Sequence, residues 1–324
     1  LWQVFRFAAP ALMAGNAALL KHAPNVFGCA LLIERIFAEA GLPANLFRSL
    51  IIDVPQTTRV IHNPLVAAVS ITSSVAAGRA VASEAGKVLK KCVLELGGSD
   101  AFIVLEDADI DQAVEVGIIG RFQNSGQSCI AAKRFIVVES VYEEFERKFV
   151  DKASRLKMGD PSEDGVYIGP QARVDLRDSL HDQVRRSVDA GAKLLLGGEL
   201  PEGPGAFYPP SVLAGVKPGM AAWSEELFGP VATLIKVRDE QEAIEVANAT
   251  EFGLGGAVWT RDLARGERIA ADQIQSGAAF VNDMSKSDPR MPFGGIRNSG
   301  YGRELSVFGI REFVNVHAVW VNEA

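Results

Sequence analysis

The sequence is short of the residues that staple a chain, bind metals or coat nucleic acids. Three cysteines, Cys29, Cys92 and Cys129, are spread over 324 residues. So sparse and odd a set excludes a disulfide framework and fits a reducing cytoplasm. Cys29 and Cys92 sit in apolar runs and read as structural. No histidines pair at metal-ligand spacing, so no metal site is expected. Thirty-three basic residues stand against 40 acidic ones, a net charge of −7. No Lys/Arg cluster offsets that balance, which speaks against a nucleic-acid partner. The uncharged run Phe7 to Leu20 is interrupted by Pro10, Gly15 and Asn16 and is too short to span a membrane. There is no visible signal peptide, no internal repeat, no low-complexity segment and no G-x-G-x-x-G.

What is present is apolar and regular. A hydrophobic content of 48% can bury a large core, and the length reads as two domains. Pro24 through Ala40 carries a helical stripe at Val26, Ala30, Ile33 and Phe37, closed by Gly41. Leu65–Ile71 reads as a buried strand. Thr72-Ser73-Ser74 caps a helix from about Val75 to Lys91, and Cys92–Leu96 returns as a strand. Strand–helix–strand alternation predicts parallel pairing in an α/β layer. Ala101–Leu105 is a further strand. Asp107-Ala108-Asp109-Ile110-Asp111 lacks the Gly and distal Glu of a calcium loop and reads as a helix cap.

The pattern then repeats. Helices are expected near Tyr142–Leu156, Arg173–Ala190, Asp239–Ala249 and Asp262–Gln275. Strands are expected at Lys193–Leu196, Gly256–Thr260 and Ala278–Asn282, with a surface loop over Leu200–Pro210. The tail Phe313–Val321 alternates Val314, Val316, Ala318 and Trp320 on one face, an exposed strand suited to pairing with another subunit.

Two segments carry chemistry. In Phe122-Gln123-Asn124-Ser125-Gly126-Gln127-Ser128-Cys129 a cysteine ends a polar, Gly-containing turn. There it can be exposed, and a helix N-terminus beside it would favour the thiolate that a sulfur nucleophile needs. A buried cysteine beside an ordinary turn fits the octet about as well. In Cys92-Val93-Leu94-Glu95-Leu96-Gly97-Gly98 a carboxylate sits inside an apolar strand. Desolvation there raises its pKa and suits it to accept a proton near neutral pH, although a Glu on a solvated edge reads as naturally.

Together the two segments are specific. E-L-G-G-S-D from Glu95, followed by the Cys129 of N-x-G-Q-x-C, resembles the paired signature of the NAD(P)-dependent aldehyde dehydrogenases. Glu225-Glu226-Leu227-Phe228-Gly229-Pro230 is similar to that family's E-E-x-F-G-P. Pro292-Phe293-Gly294-Gly295 through Ser299-Gly300-Tyr301-Gly302-Arg303-Glu304 is similar to its P-F-G-G-x-x-x-S-G-x-G-R-E. Ala14-Gly15-Asn16 with Lys21 resembles A-G-N-x-x-x-x-K. Leu20-Lys21-His22-Ala23-Pro24-Asn25 and Lys90-Lys91-Cys92-Val93-Leu94-Glu95 are closest to the bacterial short-form succinate-semialdehyde dehydrogenases.

The resemblance implies an α/β aldehyde dehydrogenase-like fold. Its parts would be the later part of a Rossmann-like cofactor domain (1–96), a catalytic domain (97–310) and an oligomerisation strand (311–324). It implies oxidation of an aldehyde to the carboxylate, with Cys129 as nucleophile and Glu95 as the base that activates water. Relatives that pass the acyl group to coenzyme A commonly lack that Glu, so hydrolysis is expected. For NAD or NADP it implies Lys21 on the adenosine ribose, Thr72, Ser73, Ser74 and Gly78 in the turn that receives the pyrophosphate, Gly97 as a further cofactor-binding residue, Glu226 on the nicotinamide ribose and Phe228 against the ring. Ser73 stands where the family usually has Gly. Pro24 replaces the Glu that repels a 2′-phosphate in NAD-preferring relatives, so NADP should be tolerated.

For a substrate such as succinate semialdehyde it implies contacts from Gln123, Ser285 and Arg290, with Lys286 and Ser287 nearby. Some relatives carry Arg at the position of Gln123. Arg121 reads as a solvated helix charge. A cytoplasmic homodimer or homotetramer is expected. The chain opens at Leu1, where the family has a preceding segment whose Asn side chain helps hold the oxyanion. A chain without it is expected to be slow, since one such donor is worth on the order of 10²–10³ in rate. It is also expected to be poorly soluble, through an uncovered sheet. Another small aldehyde as substrate, or an inactive fragment, are the rival readings.

Overall fold

The computed structural model describes residues 1–322. The elements run α1 (Trp2–Met13), β1 (Ala18–Leu20), α2 (Phe27–Glu39), β2 (Phe47–Ser49), α3 (Val54–His62), β3 (Ala68–Thr72), α4 (Val75–Lys87) and β4 (Lys91–Glu95). Next come β5 (Asp100–Val104), α5 (Ile110–Phe122), β6 (Ala132–Val138), α6 (Glu139–Ser154), α7 (Val174–Asp189), β7 (Lys193–Leu196) and β8 (Ser211–Ala214). The chain ends through α8 (Ala221–Ser224), β9 (Val231–Val237), α9 (Glu240–Asn248), β10 (Gly255–Trp259), α10 (Leu263–Arg268), β11 (Ala278–Val281), β12 (Gly300–Tyr301) and α11 (Ser306–Glu312).

Two units divide the chain. The first holds Leu1–Leu96, Ser287–Gly294 and the chain from Gly300. In it β3 and β4 pair in parallel, β12 adds antiparallel to β4, and β1 pairs β2 in parallel. The β3–α4–β4 crossover packs Val69, Ile71, Ala85, Leu94 and Leu96 into one small core. Val4, Ala8, Ile33 and Phe47 form another beneath α1 and α2.

The second unit holds Gly97–Lys286 and Gly295–Ser299. Its seven-stranded sheet has the order β11-β10-β5-β6-β9-β8-β7, parallel except for the β7–β8 pair. Every residue of β5, β6 and β10 is buried. A parallel sheet covered on both faces needs apolar residues at odd and even positions alike, which explains the unbroken runs. Ile103, Ile136, Ile235 and Val258 fill one core, and Phe102, Phe135, Leu234 and Trp259 fill the other.

Most expected elements hold with shifted ends, but the buried strand expected at Leu65–Ile71 begins only at Ala68 and is half-buried, with Leu65 exposed; several other departures have plain causes. The stripe from Pro24 splits into a 3-10 turn, Pro24–Val26, and then α2. The helix expected to reach Lys91 stops at Lys87. Leu89 turns left-handed (φ 56°), Lys90 N–H returns to Ala85 C=O and Leu89 N–H to Gly86 C=O, a Schellman stop without glycine. The helix from Asp262 breaks into α10 and a π turn at Ile269–Gln273. Asp109 caps α5, its carboxylate accepting from Gln112 N–H. The Leu200–Pro210 loop buries its end, since Tyr208 is fully buried.

The tail departs most from its sequence pattern. No strand forms at Phe313–Val321 among the described residues. Phe313 is held edge-on to Phe7, and its carbonyl accepts from Asn16 Nδ2 at 2.8 Å. Beyond it the alternating apolar face has no partner strand among the described residues, and extended backbone needs one to become a sheet.

Candidate functional site

The second unit builds a nucleophile turn from the end of α5 to the start of β6. Asn124, Ser125 and Gly126 are all left-handed, with φ of 53°, 54° and 70°. For two non-glycine residues in succession this is strained backbone, which surrounding contacts must over-determine. Those contacts are present. The Ser125 hydroxyl accepts from Gly169 N–H at 2.9 Å, Asn124 Nδ2 donates to Gln127 C=O at 3.0 Å, and Gln127 Oε1 accepts from Ala172 N–H at 2.8 Å. Arg121 is fully buried rather than solvated. Its Nη2 donates to the carbonyls of Gly126, Leu227 and Gly229. It thereby fastens the turn to the loop that carries Glu226 and Phe228. At Gly126 a Cβ would lie 2.4 Å from Gly229 O, so the two loops meet where glycine is required.

Cys129 is half-buried on the turn before β6. A helix N-terminus beside it was the expected source of positive potential, but a strand follows, and the charge comes from side chains instead. Lys133 is buried on β6. Its Nζ donates to Cys129 C=O at 2.9 Å and Ser128 C=O at 3.1 Å and lies 3.6 Å from Glu226 Oε1. Burial pushes its pKa down, against the pull of Glu226 and Asp100. Glu226 accepts from Gly98 N–H at 3.0 Å. Added Cβ atoms would lie 2.4 Å from Glu226 Oε2 at Gly97 and 2.5 Å from Cys129 O at Gly98. The two glycines of E-L-G-G are therefore needed for close approach. Asp100, buried under the same turn, has its pKa raised by burial while Lys133 opposes the shift. Arg134 caps the carbonyls of Ser99, Val246 and Ala247.

Glu95 belongs to the first unit. It is 1% exposed, and both carboxylate oxygens lack a hydrogen-bond partner among the described residues. Burial, and next the charge of Glu304, push its pKa up to about 9, with Arg6 and Arg303 opposing. The raised pKa matches expectation in direction; the buried neighbours are new. Arg6 lies 2.7 Å from Glu304 and stacks over Phe293 at 4.3 Å.

The remaining candidates vary in setting. Ser73 and Ser74 are exposed at the start of α4, where Ser74 Oγ accepts from Ala77 N–H at 3.4 Å. Lys21 is half-buried just after β1. Phe228 keeps 40% exposure. Gln123 is half-buried at the C-cap of α5. Ser285 is buried, with its hydroxyl bonded to Asp100. Arg290 is exposed and pairs with Asp288 at 2.6 Å. The structure thus gathers Cys129, Gly97 and Glu226 in the second unit and sets Lys21, Ser73, Ser74 and Glu95 in the first. Sequence reasoning missed Arg121, Lys133 and Asp100 around the turn, and Arg6 around Glu95. The available signal was charge at an otherwise apolar strand, as in Ala131-Ala132-Lys133-Arg134-Phe135.

A parallel α/β sheet whose strand-edge turn presents a cysteine defines a class of thiol-bearing α/β enzymes, and comparison with known proteins makes it particular. The aldehyde dehydrogenase family matches residues 1–319. Over 320 residues the chain is 50% identical to the succinate semialdehyde dehydrogenase [NAD(P)+] Sad of Escherichia coli (strain K12), covering 99% of this chain and 69% of that protein. It is 48% identical over 324 residues to the succinate-semialdehyde dehydrogenase [NADP(+)] of Mycobacterium avium (strain 104), covering 100% of this chain and 68% of that one. The crystal structure of succinic semialdehyde dehydrogenase from Streptococcus pyogenes with NADP+ superposes with a TM-score of 0.97 at 39% identity, over 99% of this chain and 70% of that one. The chain belongs to the aldehyde dehydrogenase family, and its α/β fold is the one the motifs led us to expect. No helix among the described residues is long and apolar enough to cross a membrane.

Proposed function

We propose that this chain oxidises succinate semialdehyde to the carboxylate with NAD(P)+ through a covalent Cys129 intermediate. The observation that carries the reading is the over-determined Cys129 turn, tied to the Glu226 loop through Arg121 and Lys133. In a family of aldehyde dehydrogenases that is a nucleophile held beside a cofactor segment. The Cys129 thiolate attacks the aldehyde carbon, and a C–S bond forms as the carbonyl becomes a thiohemiacetal. The nicotinamide supplies the hydride acceptor. Hydrolysis of the resulting thioester then needs a base for water, and that is Glu95. Since Glu95 holds its proton up to about pH 9 in this state, the base form is scarce at neutrality and grows with pH.

The residues fit the cofactor. Gly97 leaves the Glu226 carboxylate room at the turn, Gly98 N–H donates to it, and Phe228 offers apolar surface two residues on. Ser73 and Ser74 stand exposed at the start of a thirteen-residue helix, a suitable end for phosphate. Lys21 would serve the ribose. No acid stands at Pro24, which agrees with NADP use, and the relatives named above carry NAD(P)+ or NADP(+) in their names. For the distal carboxylate, Gln123 and Arg290 have accessible surface, whereas Ser285 serves from below by anchoring its loop to Asp100. We assign 1–96 to the cofactor domain, 97–310 to the catalytic domain and 311–324 to an oligomerisation tail, whose alternating run Phe313–Val321 becomes a strand on pairing with a second copy in a cytoplasmic homodimer or homotetramer.

NAD(P)H formation at 340 nm with succinate semialdehyde, with and without Cys129→Ala, tests this reading. Activity that vanishes in the variant and a KM well below that for butanal are expected. Turnover surviving Cys129→Ala would sink the covalent mechanism. Equal KM values would sink carboxylate recognition.

A further inference from the structure

We propose that Lys133 is a positioning residue that holds the Cys129 turn and stabilises the thiolate form of that cysteine. The inference rests on the reading of Cys129 as nucleophile. Lys133 lies four residues after Cys129, inside a strand buried at every position, where a cation is expensive unless it is fully used. It is fully used. Its Nζ faces the carbonyls of Cys129, Ser128 and Ala131 at 2.9, 3.1 and 3.5 Å. Three acceptors and no donor match the three N–H groups of an ammonium and not a neutral amine. The side chain is 2% exposed, so its charge acts through protein rather than through screening water.

The charged groups around the turn have opposing effects. Glu226, on the loop after α8, and Asp100, on β5, are the acids that face Lys133. Arg121 on α5 is a second buried cation, and Arg134 on β6 points at the carbonyls of Ser99, Val246 and Ala247. Burial raises the pKa of Asp100 and lowers those of Lys133, Arg121 and Arg134, while Glu226 also accepts from Gly98 N–H. Position therefore decides which cation matters. Lys133 is the one bonded to the cysteine's own peptide, and it also interacts electrostatically with the Cys129 thiol. A cation so placed favours the thiolate, as elsewhere beside lysine or arginine.

The test follows iodoacetamide alkylation of Cys129 as a function of pH, quantified on the Cys129 peptide by mass spectrometry. In the wild-type protein the midpoint is expected below the ordinary thiol value of about 8.5. Lys133→Gln keeps an N–H donor and loses the charge; its midpoint is expected to rise by about one to two units. Lys133→Arg is expected to return it close to wild type. A merely structural lysine would change melting temperature in Lys133→Gln without moving the midpoint, and that result in a folded variant overturns the proposal. Where Lys133→Gln does not fold by circular dichroism, the wild-type midpoint decides, and a value at or above about 8.5 overturns it. Retained aldehyde oxidation in Cys129→Ser would instead defeat the nucleophile reading and leave the alkylation result standing.

Discussion

Glu95 shows what burial does to a single group. Its pKa moves from the ordinary 4.5 to about 9, so the folded chain grips this proton more tightly than the unfolded one. The stability gained is full below about pH 4.5 and is lost as pH rises through 9, the reverse of a salt-bridged carboxylate. Glu95→Gln cannot titrate. Its melting temperature relative to wild type should therefore climb between pH 5 and pH 9, and a flat difference would contradict the shift. Thioester hydrolysis in a single turnover should also rise across that range in the wild type and be flat and slow in the variant. Glu95 and Cys129 were legible as a pair of motifs, because an acid in a strand and a thiol on a polar turn each leave a structural reading open when taken alone. Arg121, Lys133 and Arg6 were not legible, because a charge in sequence looks the same whether water or a ring of carbonyls receives it. Lys133 and Arg134 are adjacent, so one of the two must point to each face of β6. Both are buried because both faces of that sheet are covered.

At the scale of elements, the turn from α5 to β6 matters more than either neighbour. Strands and helices of the second unit follow from period and run length, and their ends fall within a few residues of expectation. The left-handed stretch Asn124–Gly126 does not follow from pattern, because its conformation is imposed by Gly169 and Ala172, which are distant in the chain, and by the Arg121 guanidinium, whose burial a local reading does not show. Gly126→Ala tests how strictly that turn is set. A Cβ in left-handed backbone costs on the order of 1–2 kcal/mol, and here it also meets Gly229 O. We expect urea unfolding to show a loss of about 1–3 kcal/mol and kcat to fall at least tenfold. A variant with wild-type kcat would show that the approach of the two loops is irrelevant to turnover. Arg121→Lys should reproduce part of the loss, since all three carbonyl bonds come from Nη2 at the tip of the side chain, and the shorter lysine does not carry its ammonium to that point.

At the scale of the whole molecule, the tail holds surface that the folded chain leaves open. Val316 is 89% exposed and Trp320 is 91% exposed, at even positions of an alternating run. Alternation is a sheet pattern, and the sequence signalled it correctly as pattern. What it could not supply is the partner, because strand formation is decided by the hydrogen-bonding edge that receives the segment and not by the segment alone. Within one copy of the chain the tail pairs with no such edge among the described residues, and it lies outside regular structure here. A second copy is the partner we propose, which makes strand formation and association the same event. Sedimentation equilibrium should then give a dimer or tetramer for the wild type. The pair Val316→Asp and Trp320→Asp should shift that mass toward the monomer without lowering the melting temperature of either core, because neither side chain is buried in one. An unchanged mass in the double variant would show that the tail does not join the subunits. A lowered melting temperature at unchanged mass would show that it packs on its own chain instead.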